Sequence, residues 1–142
     1  MADNITVLDS LGATQTIATR DVGGVHYQNI SPPVSTSHLV TAGSTNATVV
    51  KASAGILRSV YIFNNAGYPV YAKFHNSASA PTAGTGVVFA VPSQAGLPTA
   101  FVLPGGGRSF SSGIAMTVVK DIADAGATAV LASDALIEVA YD

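Results

Sequence analysis

Residues 56–75 read ILRSVYIF-NNAG-YPVYAKFH, two apolar runs around a four-residue break. In an extended first run, odd-numbered and even-numbered side chains point to opposite sides, and both sides are substantially apolar, which is typical of a central strand. The Asn-Asn-Ala-Gly break supplies turn residues that tolerate positive φ. The pattern therefore predicts a β-hairpin. Pro69 lacks an N–H, so we expect it at a strand start or on an edge.

The remaining sequence has the same β character. Short runs of β-branched and aromatic residues alternate with Gly, Pro and Asn, and helix signals are almost absent. Roughly seven or eight strands at this spacing predict an all-β fold, a β-sandwich that is jelly-roll-like. Beyond the hairpin we expect strands at residues 47–52, 87–91, 99–103, 114–119 and 135–141, with residues 122–134 as an irregular loop or one helical turn.

The N-terminal third differs from the rest. Strands are expected at residues 5–8, 15–19 and 25–30, with a turn at 21–24. Two prolines at 32 and 33 then force an extended path into a Ser- and Thr-rich stretch. We interpret residues 1–44 as an extended N-terminal arm or hairpin that reaches beyond a sandwich core of residues 45–142. The alternative is that residues 1–44 supply edge strands to the main sheet.

Charge is scarce in this chain. Only 10% of residues are charged, against about 25% in an ordinary soluble domain, whereas 48% are hydrophobic and the mean hydropathy is +0.42. No apolar run approaches the roughly 18 residues that span a bilayer, so no membrane segment is predicted. The apolar surface must be buried in a core, in neighbouring subunits, or in both. The composition therefore favours a subunit of an assembly.

The charge pattern also argues against nucleic-acid binding. The formal net charge is −2, and the six Lys and Arg residues are scattered singly, whereas a phosphate backbone requires clustered cations. There is no cysteine, which excludes disulfides and thiolate chemistry. The N-terminal sequence Met-Ala-Asp-Asn lacks the basic start and apolar core of a signal peptide, so we expect no secretion.

No residue pattern indicates a cofactor or a metal. His26, His38 and His75 lie on three separate predicted elements, without the spacing of a zinc motif. The aspartates at 121, 124 and 134 fall in or near one loop but lack the alternating ligands and closing Glu of an EF-hand. A solvated loop is the better interpretation, with calcium binding as the alternative.

Catalytic patterns are equally weak. No serine has a Gly two residues before it and another two residues after it, so the nucleophile elbow is absent. The run Gly105-Gly106-Gly107-Arg108 lacks the ending of a phosphate loop, and Glu138 is the only Glu for a carboxylate pair. We therefore expect a protein that is not an enzyme. The aromatic residues of the hairpin should mostly fill the core, although exposed rings could stack on a host sugar.

Several stretches resemble one class of proteins. The first are LRSVYIFNN (residues 57–65), YAKFHN (71–76) and APTAGT (80–85). The same resemblance is shown by ATRDVGGVHYQ (18–28) and by the short segments at 113–115, 122–124 and 128–130. Together they cover most of the chain, and they resemble small structural virion proteins of tailed bacteriophages, which include head decoration (cement) proteins. No catalytic residue comes with the resemblance.

The resemblance implies a structural protein of a phage virion, and we expect it on the outer surface of the phage head, made in the bacterial host cytoplasm. Its partners would be the major capsid protein and further copies of itself, with a trimer as the first expectation because capsid lattices offer threefold positions. The alternatives are a tail, neck or fibre-attachment component, or a host-glycan-binding module. The candidate capsid contacts are apolar or amphipathic residues of the arm: Ile5, Val7, Leu8, His26, Tyr27 and Ile30.

Overall fold

The computed structural model describes residues 4–8, 14–22, 25–28 and 34–142. The chain divides into two compact units, Met1–Pro33 and Val34–Asp142. In the first unit, three strands form an antiparallel sheet in the order β1-β2-β3. They are β1 (Asn4–Leu8), β2 (Thr14–Val22) and β3 (Val25–Gln28). The three strands predicted for this part of the chain are confirmed. The extension of this unit as an arm stays a prediction.

The second unit contains nine strands in two sheets. They are β4 (Ser35–Val40), β5 (Thr48–Lys51), β6 (Gly55–Asn64), β7 (Val70–Asn76), β8 (Val87–Ser93), β9 (Pro98–Val102), β10 (Arg108–Phe110), β11 (Ile114–Val119) and β12 (Ala135–Tyr141). A 3-10 turn at Pro104–Gly106 separates β9 from β10.

The two sheets are antiparallel throughout and pack face to face. The first has the order β4-β12-β6, with β9 and β10 both paired along the remaining edge of β6. The second has the order β5-β11-β7-β8. If β9 and β10 count as one interrupted strand, the eight positions run 1-8-3-6 and 2-7-4-5, which is the strand order of a jelly roll. The predicted all-β sandwich is confirmed.

The core fills the space between the sheets. All six residues of β11 are buried, so both sides of this strand are covered. In β12, Ala135, Ile137 and Val139 are buried and alternate with more exposed residues, as expected for a strand with one side toward the core. The other fully buried apolar side chains of the core include Leu57, Val60, Ile62, Val70, Phe74, Val91, Ile114 and Met116.

A β-bulge at Arg58 changes which side of β6 faces the core. Ala140 pairs with Ser59 and Tyr141 pairs with Leu57, so Arg58 is the extra residue of β6. Beyond the bulge Val60 and Ile62 are buried, whereas before it Leu57 is. The strict alternation expected from the sequence is therefore wrong across this position, since an inserted residue shifts the period of two.

The predicted hairpin between β6 and β7 is wrong. These strands lie in different sheets, and residues 65–69 cross from one sheet to the other. The connection folds around the buried amide of Asn64, whose Nδ2 donates to the carbonyl oxygens of Tyr68, Ser93 and Gln94 while its Oδ1 accepts from the Ala66 N–H. Pro69 immediately precedes β7, at the strand start where it was expected.

The structural boundary also differs from the one read from the sequence. Strand β4 pairs with β12 along its whole length, so Ser35–Val40 belongs to the first sheet of the sandwich and not to the N-terminal arm. The boundary lies at residues 33/34 instead of 44/45. Polar residues dominate the start of β4, which hides its apolar-polar alternation in the sequence. The short strand β10 was not predicted either.

Candidate functional site

The outward side of the first sheet is a continuous surface across four strand positions. Cross-strand pairing places its residues in three rows, because directly opposite residues share a side of the sheet. We call this surface the Tyr61 face. Its rows are Pro98, Phe63, Leu136 and Val40; Ala100, Tyr61, Glu138 and His38; and Val102, Ser59, Ala140 and Thr36.

Large apolar side chains on this face are exposed. Val40 is 49% exposed, Tyr61 39%, Phe63 43% and Val102 76%. On β6 the cause is the alternation of side chains: because Val60 and Ile62 point into the core, Tyr61 and Phe63 point out. A contiguous apolar patch on a sheet face is typical of an interaction surface.

One polar pair interrupts the apolar rows. His38 Nδ1 lies 3.5 Å from Glu138 Oε1, with side chains 55% and 58% exposed. A pair this exposed contributes little to stability, because solvent screens it. Glu138 and His38 are the only Asp, Glu, His, Lys or Arg residues in the three rows of the face. The pair also supplies a carboxylate and an imidazole beside the Tyr61 ring.

The aromatic residues of β6 and β7 divide between core and surface. Phe74 is fully buried, as expected, and its ring packs 6.0 Å from that of Phe89. Tyr68 is partly buried, with Lys120 Nζ 4.0 Å from its ring centroid. The prediction that most of these rings fill the core is wrong for Tyr61 and Phe63, because the buried residues beyond the bulge are the even-numbered ones.

His75 is a buried structural residue. Its Nδ1 lies 2.9 Å from the carbonyl oxygen of Thr85, which can only accept, so Nδ1 carries the proton. Nε2 then accepts from the Thr117 hydroxyl at 3.0 Å. Burial lowers the pKa of His75 below its ordinary value, and the nearby Lys73 acts in the same direction. Both ring nitrogens are therefore engaged within the fold.

Two of the three loop aspartates, Asp121 and Asp134, are engaged in local structure. Asp121 Oδ2 accepts from the Thr128 N–H at 2.7 Å, and this bond lowers the pKa of the Asp121 carboxyl. Asp134 Oδ2 accepts from the Tyr68 hydroxyl and from the Leu131 N–H. Among the described residues, no three His, Asp or Glu side chains come together in a way that could hold a metal ion.

Lys73 has a role that the sequence did not indicate. Its side chain is fully buried in β7, and its ammonium group donates to the carbonyl oxygens of Ala123 and Gly126. These contacts fasten the loop between β11 and β12 over the sandwich. A single lysine between Ala72 and Phe74 carries no sequence signal for such a contact, since the loop carbonyls lie about 50 residues away.

Two surface pockets meet at Asn76, at one end of the sandwich. Their volumes are about 500 and 300 Å³. Asn76 Nδ2 donates to the Ser111 hydroxyl and its Oδ1 accepts from the Ser112 N–H, so the amide between the pockets is already bonded. Within the described residues, every buried side-chain nitrogen and oxygen has a partner. Neither pocket presents a buried polar group aimed at a ligand.

The capsid-contact residues predicted from the sequence fall in the first unit. Ile5, Val7 and Leu8 lie in β1, and His26 and Tyr27 lie in β3. These strands flank β2 on opposite edges of the three-stranded sheet. Ile30 lies outside the described residues. The contact role of all six stays a prediction.

Comparison with known proteins adds no relative. A scan against protein-family models finds no match, and a search of curated proteins finds none of significant similarity. Within the part of the chain that the structure describes, no helix is long and apolar enough to cross a membrane.

Proposed function

We propose that this chain is a non-enzymatic structural protein of a phage virion, a decoration protein that binds the outer surface of the assembled head and stabilises it. The observation that carries the proposal is the Tyr61 face, because its exposed apolar side chains indicate a subunit of an assembly. This face is a contiguous, largely apolar surface on a chain with only 10% charged residues. Such a surface suits lasting contact with other proteins more than free solution.

Linkage supplies the stabilising mechanism. A protein that binds the assembled lattice and not its dissociated subunits shifts the equilibrium toward assembly. A surface with few charges can be buried against neighbouring subunits without the cost of desolvating ions. The partners in this proposal are the major capsid protein and further copies of the chain itself.

The virion role rests on the sequence resemblance, and head decoration proteins are among the proteins that the stretches resemble. The resembling stretches at residues 57–65 and 71–76 contain most of β6 and β7, so they belong to the two facing sheets of the sandwich. The capsid contact is assigned to the first unit through Ile5, Val7, Leu8, His26, Tyr27 and Ile30. The Tyr61 face is then left for a different contact.

Binding to isolated heads tests the proposal. Heads lacking the protein are mixed with increasing amounts of it and pelleted, and the bound protein is quantified against the major capsid protein. We expect saturation at a fixed ratio and greater resistance of the heads to heat. Absence of binding to heads, with binding to purified tails, would move the protein to a tail, neck or fibre-attachment position.

A truncation tests the contact assigned to the first unit. The cut belongs after Pro33, because removal of residues 1–44 would also remove β4 and expose one edge of β12. Residues 34–142 retain all nine strands of the sandwich and its buried core, so we expect them to fold. The truncated protein should no longer bind heads. Undiminished binding would place the contact on the sandwich.

One observation favours carbohydrate binding as a second candidate. Tyr61 and Phe63 are exposed side by side, with Glu138 directly opposite Tyr61. Exposed aromatic rings beside a carboxylate can stack on a sugar and hydrogen-bond its hydroxyl groups. The apolar neighbours Val40 and Leu136 offer no hydrogen bonds, which makes a protein partner the better match. A glycan array with the wild-type protein and Tyr61→Ala separates the two candidates.

A further inference from the structure

We propose that the Tyr61 face pairs with the same face of a second copy of this chain, about a twofold axis that runs parallel to the strands between β6 and β12. This inference goes beyond the proposed function, since it specifies self-association wherever the protein is located. We therefore expect a twofold dimer, and not the trimer that the symmetry of capsid lattices suggested.

The order of strands makes the face complementary to itself about this axis. The line between β6 and β12 divides the four strand positions into two halves. A twofold axis along that line lays β6 over the second copy's β12, and β9 over its β4. Phe63 then meets Leu136 of the other copy, and Pro98 meets Val40. The row that is apolar in one copy is buried against the same apolar row in the other.

The polar row selects this axis over the one perpendicular to it. With the axis parallel to the strands, Tyr61 lies opposite Glu138 of the other copy, so a phenol O–H faces a carboxylate. A twofold axis along the polar row would instead place Glu138 against Glu138 and His38 against His38. Like charges held in contact and desolvated are unfavourable. Avoidance of a contact between the two Glu138 carboxylates therefore favours the parallel axis.

The extent of the face sets the expected strength. Four strand positions at about 4.8 Å and six residues at about 3.4 Å give a surface of roughly 20 by 20 Å, or about 400 Å² per copy. A standard stable interface buries about 800 Å² per partner. We therefore expect a pair that dissociates on dilution, which makes its affinity measurable.

Sedimentation equilibrium of the full chain over a wide concentration range is the first test. Tyr61→Glu places a second carboxylate opposite Glu138 of the other copy and should raise the dissociation constant at least tenfold. Val88→Glu is the matched control, because Val88 is 40% exposed, close to the 39% of Tyr61, and lies on β8 of the other sheet. The control should leave the dissociation constant unchanged.

Cross-linking tests the axis itself. Because the chain has no native cysteine, only the introduced cysteines can react. Facing sheets lie about 10 Å apart. Val40→Cys in one copy and Pro98→Cys in the other would be directly opposed at about that distance, whereas two copies of either variant would hold their cysteines about 17 Å apart. A bis-maleimide that spans about 10 Å should join the mixed variants and neither variant alone. Val88→Cys mixed with Pro98→Cys is the negative control.

Three outcomes would overturn the pairing: a monomer at every concentration, a dimer that Tyr61→Glu does not weaken, or efficient cross-linking of Val40→Cys to itself. Head binding separates this inference from the proposed function. A monomer whose binding to heads is abolished by Tyr61→Glu would assign the face to the capsid protein. Pairing without any binding to heads would retain the twofold pair and reject the decoration role.

Discussion

Arg58 and Asp142 form a two-point ion pair, with Nε 3.0 Å from Oδ1 and Nη2 2.5 Å from Oδ2. Nη1 of the same guanidinium donates to the carbonyl oxygen of Gly106. Next to the pair, Ile56 and Asp142 exchange both backbone hydrogen bonds. Arg58 is also the bulged residue of β6. One side chain therefore fastens the bulge, the end of β12 and the turn between β9 and β10.

Replacement of Arg58 by Lys should lower the free energy of unfolding by about 1–2 kcal/mol, because an ammonium group cannot reproduce the planar two-point contact. The pair is partly exposed, so solvent screening limits the effect. Urea denaturation measures it, with Arg108→Lys as the control at an exposed position, where we expect a change below about 0.5 kcal/mol. Equal losses in the two variants would contradict the special role of Arg58.

The buried amide of Asn64 predicts a larger decrease in the free energy of unfolding when it is removed. Asn64→Ala removes four hydrogen bonds and leaves the carbonyl oxygen of Ser93 without this donor in a buried place. Loss of buried partners should lower the free energy of unfolding by about 2–4 kcal/mol. Asn65→Ala, at the exposed neighbouring position, should change it by less than about 0.5 kcal/mol. A mild effect of Asn64→Ala would mean that the connection between the sheets does not depend on the amide.

The sandwich architecture was predictable because it follows from local patterns. The bounds of β11 and β12 agree with residues 114–119 and 135–141, where β-branched and apolar residues are concentrated between turn residues. Which sheet a strand joins is not local. The amide of Asn64 bonds to carbonyls of Ser93 and Gln94, about 30 residues away, and this contact accompanies the change of sheet after β6.

The Tyr61 face could not be predicted from the sequence, for a similar reason. The sequence shows that β6 has two apolar sides but not which one is buried. That outcome depends on the bulge at Arg58, whose ion-pair partner Asp142 is 84 residues distant. Half of the face is also contributed by β12 and by β4, a strand hidden in a polar stretch. Long-range pairing, and not composition, brings these residues together.

The buried imidazole of His75 predicts that stability falls in acid. Burial lowers the pKa of His75 in the folded protein below the value of about 6.5 that it has when unfolded. The unfolded state therefore binds the proton more readily than the folded state. Stability is at its full value above pH 6.5, declines as the pH falls below 6.5, and reaches its lower value once the pH is below the folded pKa. Thermal melts between pH 8 and about pH 4.5 measure this.

A variant of His75 and a control variant isolate this contribution. His75→Gln cannot titrate, so the fall in melting temperature between pH 7 and about pH 5 should be smaller than in the wild type, whatever the stability at neutral pH. Asn65→Ala, which lies at an exposed position and changes no titratable group, should keep the wild-type slope. An unchanged slope in His75→Gln would attribute the acid sensitivity to the carboxylates.

A close approach between two loops makes Gly84 less replaceable than Gly86. Both have positive φ, +83° and +61°, so either alanine is strained. A Cβ on Gly84 would also lie 2.6 Å from the carbonyl oxygen of Ala125, whereas Gly86 faces open space. We expect the free energy of unfolding to fall by about 1 kcal/mol in Gly86→Ala and by about 2–4 kcal/mol in Gly84→Ala.

Hydrogen exchange at the Gly126 amide, which donates to Ala123, should accelerate only in Gly84→Ala, because only that variant displaces the second loop. Equal losses and equal exchange in both variants would show that the contact with Ala125 does not constrain this loop.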